Sequence, residues 1–77
     1  MPFEELKKYK EMLKKMTLSE LRAEKKRVDA NVGEIFRAYY GCIANAPSWD
    51  IAAYDLYTDK QYAIRNEGKR RIAEGLV

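Results

Sequence analysis

Few side chains in this sequence are suited to covalent or metal chemistry. The chain has one cysteine, Cys42, and no histidine, so a cysteine–histidine nucleophilic pair is impossible. Of three neighbouring aspartates, Asp55 and Asp59 share a helical face and Asp50 points away from both. One carboxylate pair is poor evidence for a metal site, and no glycine-rich phosphate loop, Cys-X-X-Cys pair or nucleophile elbow is present. We therefore predict a protein that is not an enzyme, with no catalytic residue, no metal site and no cofactor.

Clustered basic residues are the first candidate for binding. The net charge is +3 over 77 residues, but residues 1–31 carry nine Lys or Arg against six acids, residues 32–59 one against four, and residues 60–77 five against two. A helical hairpin would bring the two basic stretches to one pole, as a phosphate-binding cluster of Arg22, Lys25, Lys26, Lys69, Arg70 and Arg71. The alternative is a solvated helix surface that neighbouring glutamates partly neutralise.

Six tyrosines in so short a chain are the second candidate. Tyrosine has a ring that can stack and a hydroxyl that needs a partner, which suits both protein interfaces and nucleotide pockets. Tyr9, Tyr39 and Tyr57 fit core positions. The other three, Tyr40, Tyr54 and Tyr62, fit the core less well, and we predict that they lie at an interface, although packing of rings to thicken a thin core is the alternative reading.

The elements that must position these residues are helices. From position 18 to position 45, apolar residues recur at alternating steps of three and four, which is typical of a helix packed along its length against another. The positions are Leu18, Leu21, Val28, Val32, Ile35, Tyr39 and Cys42. Lys25 interrupts the pattern, and a hairpin would place it close to Glu67. We predict an ion pair between these two residues.

The predicted fold is all-α, in one domain of residues 1–77. A short amphipathic helix, about 3–16, precedes a long antiparallel hairpin of helices at about 18–45 and 49–74. Thr17 and Glu20 match a capping box at the start of the second helix, and Pro47 disfavours its continuation. Gly33 and Gly41 lie inside that helix, as a tolerated bend or as points where a partner helix approaches closely.

The third predicted helix is apolar on two opposite sides. One side carries Trp49, Ala52, Ala53, Leu56, Tyr57, Ala63 and Ile64, and the other carries Ile51, Tyr54, Tyr62 and Ile72. Both must be covered, either by the first helix or by another subunit. We favour a second subunit that covers Ile51, Tyr54 and Tyr62, and hence an oligomeric helical bundle, with Tyr40 as a further predicted interface residue.

Two hypotheses for function follow from these patterns. The first is a small helical binding protein that self-associates and acts as an inhibitor or adaptor by binding another protein. The second is a nucleic-acid or nucleotide binder that uses the basic pole for phosphates and tyrosines for base stacking. The sequence has neither an apolar run of bilayer length nor the hydrophobic region of a signal peptide, so we expect a cytoplasmic protein without membrane contact.

Overall fold

Three α-helices make up most of the chain. A computed structural model describes residues 3–75, while residues 1, 2, 76 and 77 of the predicted domain lie outside the described residues. The helices are α1 (Phe3–Lys15), α2 (Leu18–Ala38) and α3 (Ser48–Ala73), with a short 3-10 turn at Ile43–Asn45 before α3. Over residues 3–75 there is no strand. The all-helical prediction is confirmed.

The capping box at the start of α2 is confirmed. The backbone N–H of Glu20 donates to Thr17 Oγ1 at 3.1 Å, and the backbone N–H of Thr17 donates to Glu20 Oε1 at 3.0 Å. These bonds satisfy two donors that a helix N-terminus leaves without intrahelical partners. The backbone hydrogen bond from Thr17 also lowers the pKa of the Glu20 carboxyl group. Local sequence therefore determines where α2 begins.

The end of α2 comes earlier than the sequence predicts. Tyr40 and Gly41 have φ angles of 51° and 82°, in the left-handed region. The N–H of Gly41 donates to the carbonyl of Phe36 at 2.9 Å, and the N–H of Tyr40 donates to the carbonyl of Arg37 at 3.2 Å. This pair of bonds forms a Schellman motif, which satisfies the last carbonyls of the helix. The prediction of a helix continuing to Asn45 is therefore wrong.

Gly41 thus acts as part of a helix terminus. A Cβ atom at this position would lie 3.1 Å from the ring of Phe36, and the positive φ angle also favours glycine. Gly33, in contrast, remains inside α2. Cys42 follows the turn, so its predicted place on the packed face of α2 is wrong, and its side chain is exposed.

The core forms where α1 and α2 both pack against α3. Its buried apolar residues are Tyr9, Leu13, Leu21, Val28, Ala63 and Ile64, with Met16 and Tyr57 packed against them. Leu13 and Val28 are fully buried. Gln61 Nε2 of α3 donates to Asp29 Oδ1 of α2 at 2.9 Å, and the hydroxyl of Tyr39, the residue that follows α2, donates to the Asp50 carboxylate of α3. The latter bond raises the pKa of Tyr39.

A buried ion pair fastens α1 to α3. Arg71 Nε donates to Glu67 Oε2 at 2.7 Å, and Arg71 NH2 donates to the carbonyl oxygens of Leu13 at 2.9 Å and Met16 at 2.7 Å. Both charged residues are buried. One guanidinium group therefore neutralises a buried carboxylate and also caps the C-terminal end of α1, where a positive charge is favourable.

The predicted ion pair between Lys25 and Glu67 is wrong. Lys25 is exposed on α2 and pairs with Asp29 at 2.7 Å, one helical turn away. Glu67 instead accepts hydrogen bonds from Arg70 and Arg71, which follow it on α3. These residues are three and four positions away, a spacing that brings side chains together on a helix. An arginine on the same helix therefore takes the place that was predicted for Lys25.

A second buried carboxylate, Glu24, joins α1 to α2. It accepts a hydrogen bond from the Tyr9 hydroxyl at 2.9 Å and a bidentate pair from Arg27 at 2.7 and 3.0 Å. Burial raises the pKa of Tyr9, and the hydrogen bond to Glu24 raises it further. Lys60 Nζ lies 5.1 Å from the centroid of the Tyr9 ring and 5.7 Å from that of Tyr57. Polar contacts thus attach α1 to both of the other helices.

The left-handed position of Tyr40 predicts that Tyr40→Gly stabilises the protein. The side chain is 96% exposed, so its removal loses almost no packing, whereas a residue with a Cβ atom is strained at a φ of 51°. We expect the free energy of unfolding to rise by about 0.5–1 kcal/mol, after the greater backbone freedom of glycine in the unfolded chain is included. Urea unfolding followed by circular dichroism measures the change.

Tyr40→Ala is the matched control for this substitution. It removes the same ring but keeps the Cβ atom, so the strain should remain and stability should stay within about 0.5 kcal/mol of the parent. Equal stabilisation by alanine and glycine would show that the ring, and not the backbone conformation, opposes folding.

The buried Glu67–Arg71 pair predicts a pH-dependent effect of Glu67→Gln. The bonds from Arg70 hold the pKa of Glu67 at about 2, below its usual 4.5, so the carboxylate stabilises the fold fully above pH 4.5. That contribution is lost as the pH falls from 4.5 to about 2. Glu67→Gln should cost about 3 kcal/mol at neutral pH, and the difference from the parent should shrink as the pH falls through this interval. Urea unfolding at a series of pH values tests this expectation.

Glu74→Gln is the control for the buried pair. Glu74 also accepts from Arg70, but 54% of its side chain is exposed, and exposed ion pairs contribute little. We expect a change below about 0.5 kcal/mol. A Glu67→Gln penalty that is constant from neutral to acidic pH would contradict the assigned role of the carboxylate.

Candidate functional site

A groove between α2 and α3 has an apolar floor and a basic rim. It encloses about 510 Å³ and is lined by Leu18, Leu21, Arg22, Lys25, Asp29, Gln61, Ile64, Arg65 and Gly68. We call it the basic groove. Leucine and isoleucine form the floor, while three cations and one aspartate stand around it. The hydrogen bond from Lys25, with a further bond from Gln61, lowers the pKa of Asp29. The groove can receive an apolar group that carries an anion or a hydroxyl.

The structure separates the six predicted phosphate-binding residues into three pairs. Arg22 and Lys25 line the basic groove, and Lys26 and Lys69 are exposed outside it. Arg71 is buried against α1, and Arg70 donates to Glu67 and Glu74. The last two guanidinium groups therefore already serve the fold.

Gly68 leaves a gap in the wall of the basic groove. It lies inside α3, where glycine costs about 1 kcal/mol relative to alanine. A Cβ atom at this position would meet no heavy atom within 4 Å. Packing within the described chain therefore does not require a glycine here. The absent side chain provides space at the surface for a group from outside.

The side of α3 that faces away from α1 and α2 keeps apolar residues at the surface. Ile72 is 70% exposed and Tyr62 is 64% exposed, while Ile51 and Tyr54 are half-buried. Arg65 lies over the Tyr62 ring, with 5.7 Å between its Cζ atom and the ring centroid. We call this surface the outer face of α3. α1 does not cover it, because the contacts of α1 lie along the core side of α3.

The turn between α2 and α3 forms a second apolar surface. Tyr40 is almost completely exposed, Trp49 is 71% exposed and Phe36 is 48% exposed. Trp49 lies in the first turn of α3, and most of its side chain is exposed to solvent.

Sequence reasoning missed the two other charged residues of the basic groove. Arg65 was absent from the predicted basic cluster, although it supplies one of the three cations, and Asp29 was not predicted to line a site. Both face the space between α2 and α3, which depends on the rotation of each helix about its axis. The outward-facing apolar positions of α3, in contrast, were visible in the helical periodicity.

The described part of the chain has neither a cluster of metal ligands nor a membrane-spanning helix. Across residues 3–75, no group of three or more His, Cys, Asp or Glu side chains is arranged to bind a metal. Within the same residues, no helix combines the length and apolar character needed to cross a membrane.

Comparison of the chain with protein-family models, curated proteins and solved structures gave no significant match.

Proposed function

We propose that this chain is a small, non-enzymatic helical binding protein that self-associates and acts as an inhibitor or adaptor by binding another protein. Self-association uses the outer face of α3, with Ile51, Tyr54 and Tyr62 at the contact. The proposal includes the antiparallel hairpin of α2 and α3 and its assembly into an oligomeric bundle. The observation that carries it is the apolar surface of α3, which neither α1 nor α2 covers.

The exposure of this surface supports self-association. A chain of 77 residues has a small core, and the largest fully buried side chains among the described residues are Leu13 and Val28. Tyr62 and Ile72 lie on the opposite side of α3 from that core, where water covers more than half of each. Large apolar side chains exposed on one side of a helix are suited to contact with another protein. A second subunit would supply the burial that the monomer lacks.

A separate surface is available for a different protein partner. Tyr40, Trp49 and Phe36 lie near the turn, at a distance along α3 from Tyr62. Tyrosine and tryptophan are enriched at the energetic centres of interfaces, because their rings bury a large area at a low entropic cost. An inhibitor or adaptor needs such a free surface after its own assembly. We assign the turn surface to that role.

The substitution Tyr62→Lys tests self-association. Tyr62 is 64% exposed, so thermal stability of the monomer should remain, while a buried ammonium group at the contact should weaken association at least tenfold. Sedimentation velocity over a micromolar concentration series gives the association constant. Met12→Lys, at a 42% exposed position on α1, is the control and should associate like the parent. A parent protein that is monomeric at all these concentrations would overturn the proposal.

Affinity capture tests the second contact. A tagged parent should retain a protein from a lysate of the source cells, Trp49→Ser should lose it, and Met12→Ser should keep it. Mass spectrometry then identifies the retained chain. Retention that is unaffected by Trp49→Ser would place the partner elsewhere.

A nucleic-acid or nucleotide binder is the alternative function, and the basic groove favours it. Arg22, Lys25 and Arg65 surround an apolar floor that could hold a base or a sugar, with phosphates at the rim. Exposed Lys26 and Lys69 would extend the positive surface. The network around Glu67 leaves the neighbouring arginines of α3 with little capacity for a further anion.

Fluorescence polarisation with labelled single-stranded DNA and with labelled ATP tests the alternative. If it is correct, binding appears at low salt, weakens steeply with added salt and falls in Arg22→Ala. Lys7→Ala, which removes an exposed cation from α1, is the control. Undetectable binding of both probes at low salt would exclude this function.

A further inference from the structure

One stripe of α3 combines residues of the outer face with Gln61, Arg65 and Gly68, which line the neighbouring basic groove. Starting at Ile51, steps of three and four alternate along the helix as far as Ile72. The positions are Ile51, Tyr54, Thr58, Gln61, Arg65, Gly68 and Ile72. None of the seven residues is among the buried residues of the chain. We call them the outer seam. This spacing is the one used by helices that pack along their length.

If two copies of the outer seam pack against each other in antiparallel orientation, the residues that meet are complementary in size and polarity. Ile51 would meet Ile72, and Gln61, which also donates to Asp29 of its own chain, would meet a second Gln61 at the centre. The bulky side chain of Tyr54 would meet the gap at Gly68. Such pairs, whose residue numbers sum to 122 or 123, are the partners formed when one helix packs antiparallel to a copy of itself about a two-fold axis.

We propose that two copies of this chain form a symmetric dimer in which their α3 helices pack antiparallel along the outer seam, centred at Gln61. The inference rests on the proposed self-association and specifies its symmetry and register. A two-fold contact of this kind is closed, so assembly stops at two copies along this surface. The seam spans about 32 Å from Ile51 to Ile72, at the rise of an α-helix.

The basic groove receives Tyr54 of the second copy in this arrangement. Gly68 lines the groove and has open space where a side chain would lie, and Leu18 and Ile64 form the apolar floor beside it. The phenol ring can rest on that floor while its hydroxyl points toward the cations of the rim. This contact explains why a helix interior keeps a glycine that its own packing does not require.

Charge along the flank of the seam supports the same register. Asp55 and Lys69 are exposed, and they lie on the same side of the seam at positions whose numbers sum to 124. In the antiparallel pair, Asp55 of each copy therefore lies beside Lys69 of the other. The two residues are about 21 Å apart along one α3, so they cannot pair within one chain. A parallel arrangement would instead place like charges together, which is unfavourable.

Cysteine cross-linking tests the orientation. In a Cys42→Ser parent, Ile51→Cys and Ile72→Cys are prepared as separate proteins, mixed and oxidised. We expect a disulfide-linked dimer from the mixture and none from either protein alone, since equivalent positions lie about 32 Å apart in the antiparallel pair. Self-linking of Ile51→Cys would indicate a parallel pair and overturn the proposal.

The result is read together with sedimentation of the same parent. A dimer in sedimentation whose mixture fails to cross-link would retain the proposed self-association but reject the antiparallel seam. A monomer at micromolar concentration would reject both.

A charge exchange tests the register independently. Asp55→Lys should weaken dimerisation about tenfold, because the introduced ammonium group would face Lys69 of the other copy, and adding Lys69→Asp should restore it. The control combines Asp59→Lys with Lys69→Asp. Asp59 lies outside the flank, so that double variant should not regain affinity. Equal behaviour of the two double variants would contradict the register.

The substitution Gly68→Leu should change dimerisation and the stability of the monomer in opposite directions. The added side chain meets open space within the monomer and improves helix propensity, so the melting temperature at low concentration should rise by about 4–8 °C. The same side chain occupies the space assigned to Tyr54 of the second copy, and dimerisation should weaken more than tenfold. Unchanged dimerisation with increased stability would overturn the assigned contact.

Discussion

The guanidinium group of Arg71 lies inside the three-helix assembly, where the residue is only 7% exposed, and the placement of α1 depends on it. One edge of the group meets the Glu67 carboxylate and another meets two carbonyl oxygens at the end of α1. Removing either charged partner would leave the other uncompensated in a region of low dielectric constant. Few buried apolar residues hold α1 to α3, so this polar contact determines where α1 can sit and how much of α3 it covers.

The same contact explains which cations remain available at the surface. Glu67 draws Arg70 and Arg71 toward α1 and away from the space between α2 and α3. Lys25 therefore does not form the pair with Glu67 that its position in the heptad pattern predicted, and it lines the basic groove beside Asp29. The predicted basic cluster therefore consists of two kinds of cation. Those on the α1 side stabilise the fold, and those beside the basic groove remain accessible to solvent.

Periodicity and local signals were sufficient to predict the three helices, the capping box at Thr17 and the two-sided character of α3. They failed where a tertiary contact or a backbone conformation decides the outcome. The end of α2 depends on a left-handed Tyr40, a residue type that rarely adopts that conformation, so Pro47 appeared to be the stronger stop signal. Two kinds of cation could pair with Glu67: an arginine one turn away on α3 or a lysine on another helix. The helical periodicity alone did not decide between them.

The distribution of residue types around α3 is unusual for a helix in a small protein. Its core side contains the charged residues Glu67 and Arg71, whereas its outer face exposes Tyr62 and Ile72. Burying charge lowers the net gain from packing α1, and exposing apolar groups forgoes burial on the other side. The exposed apolar groups contribute no burial to a monomer. In an antiparallel pair, the outer seam becomes a second core and each basic groove receives a ring, while the charged contacts fix α1 on the remaining side of α3. Burial of the charged pair Glu67–Arg71 therefore lowers the gain from packing, but it holds α1 in a position where α1 does not cover the outer seam.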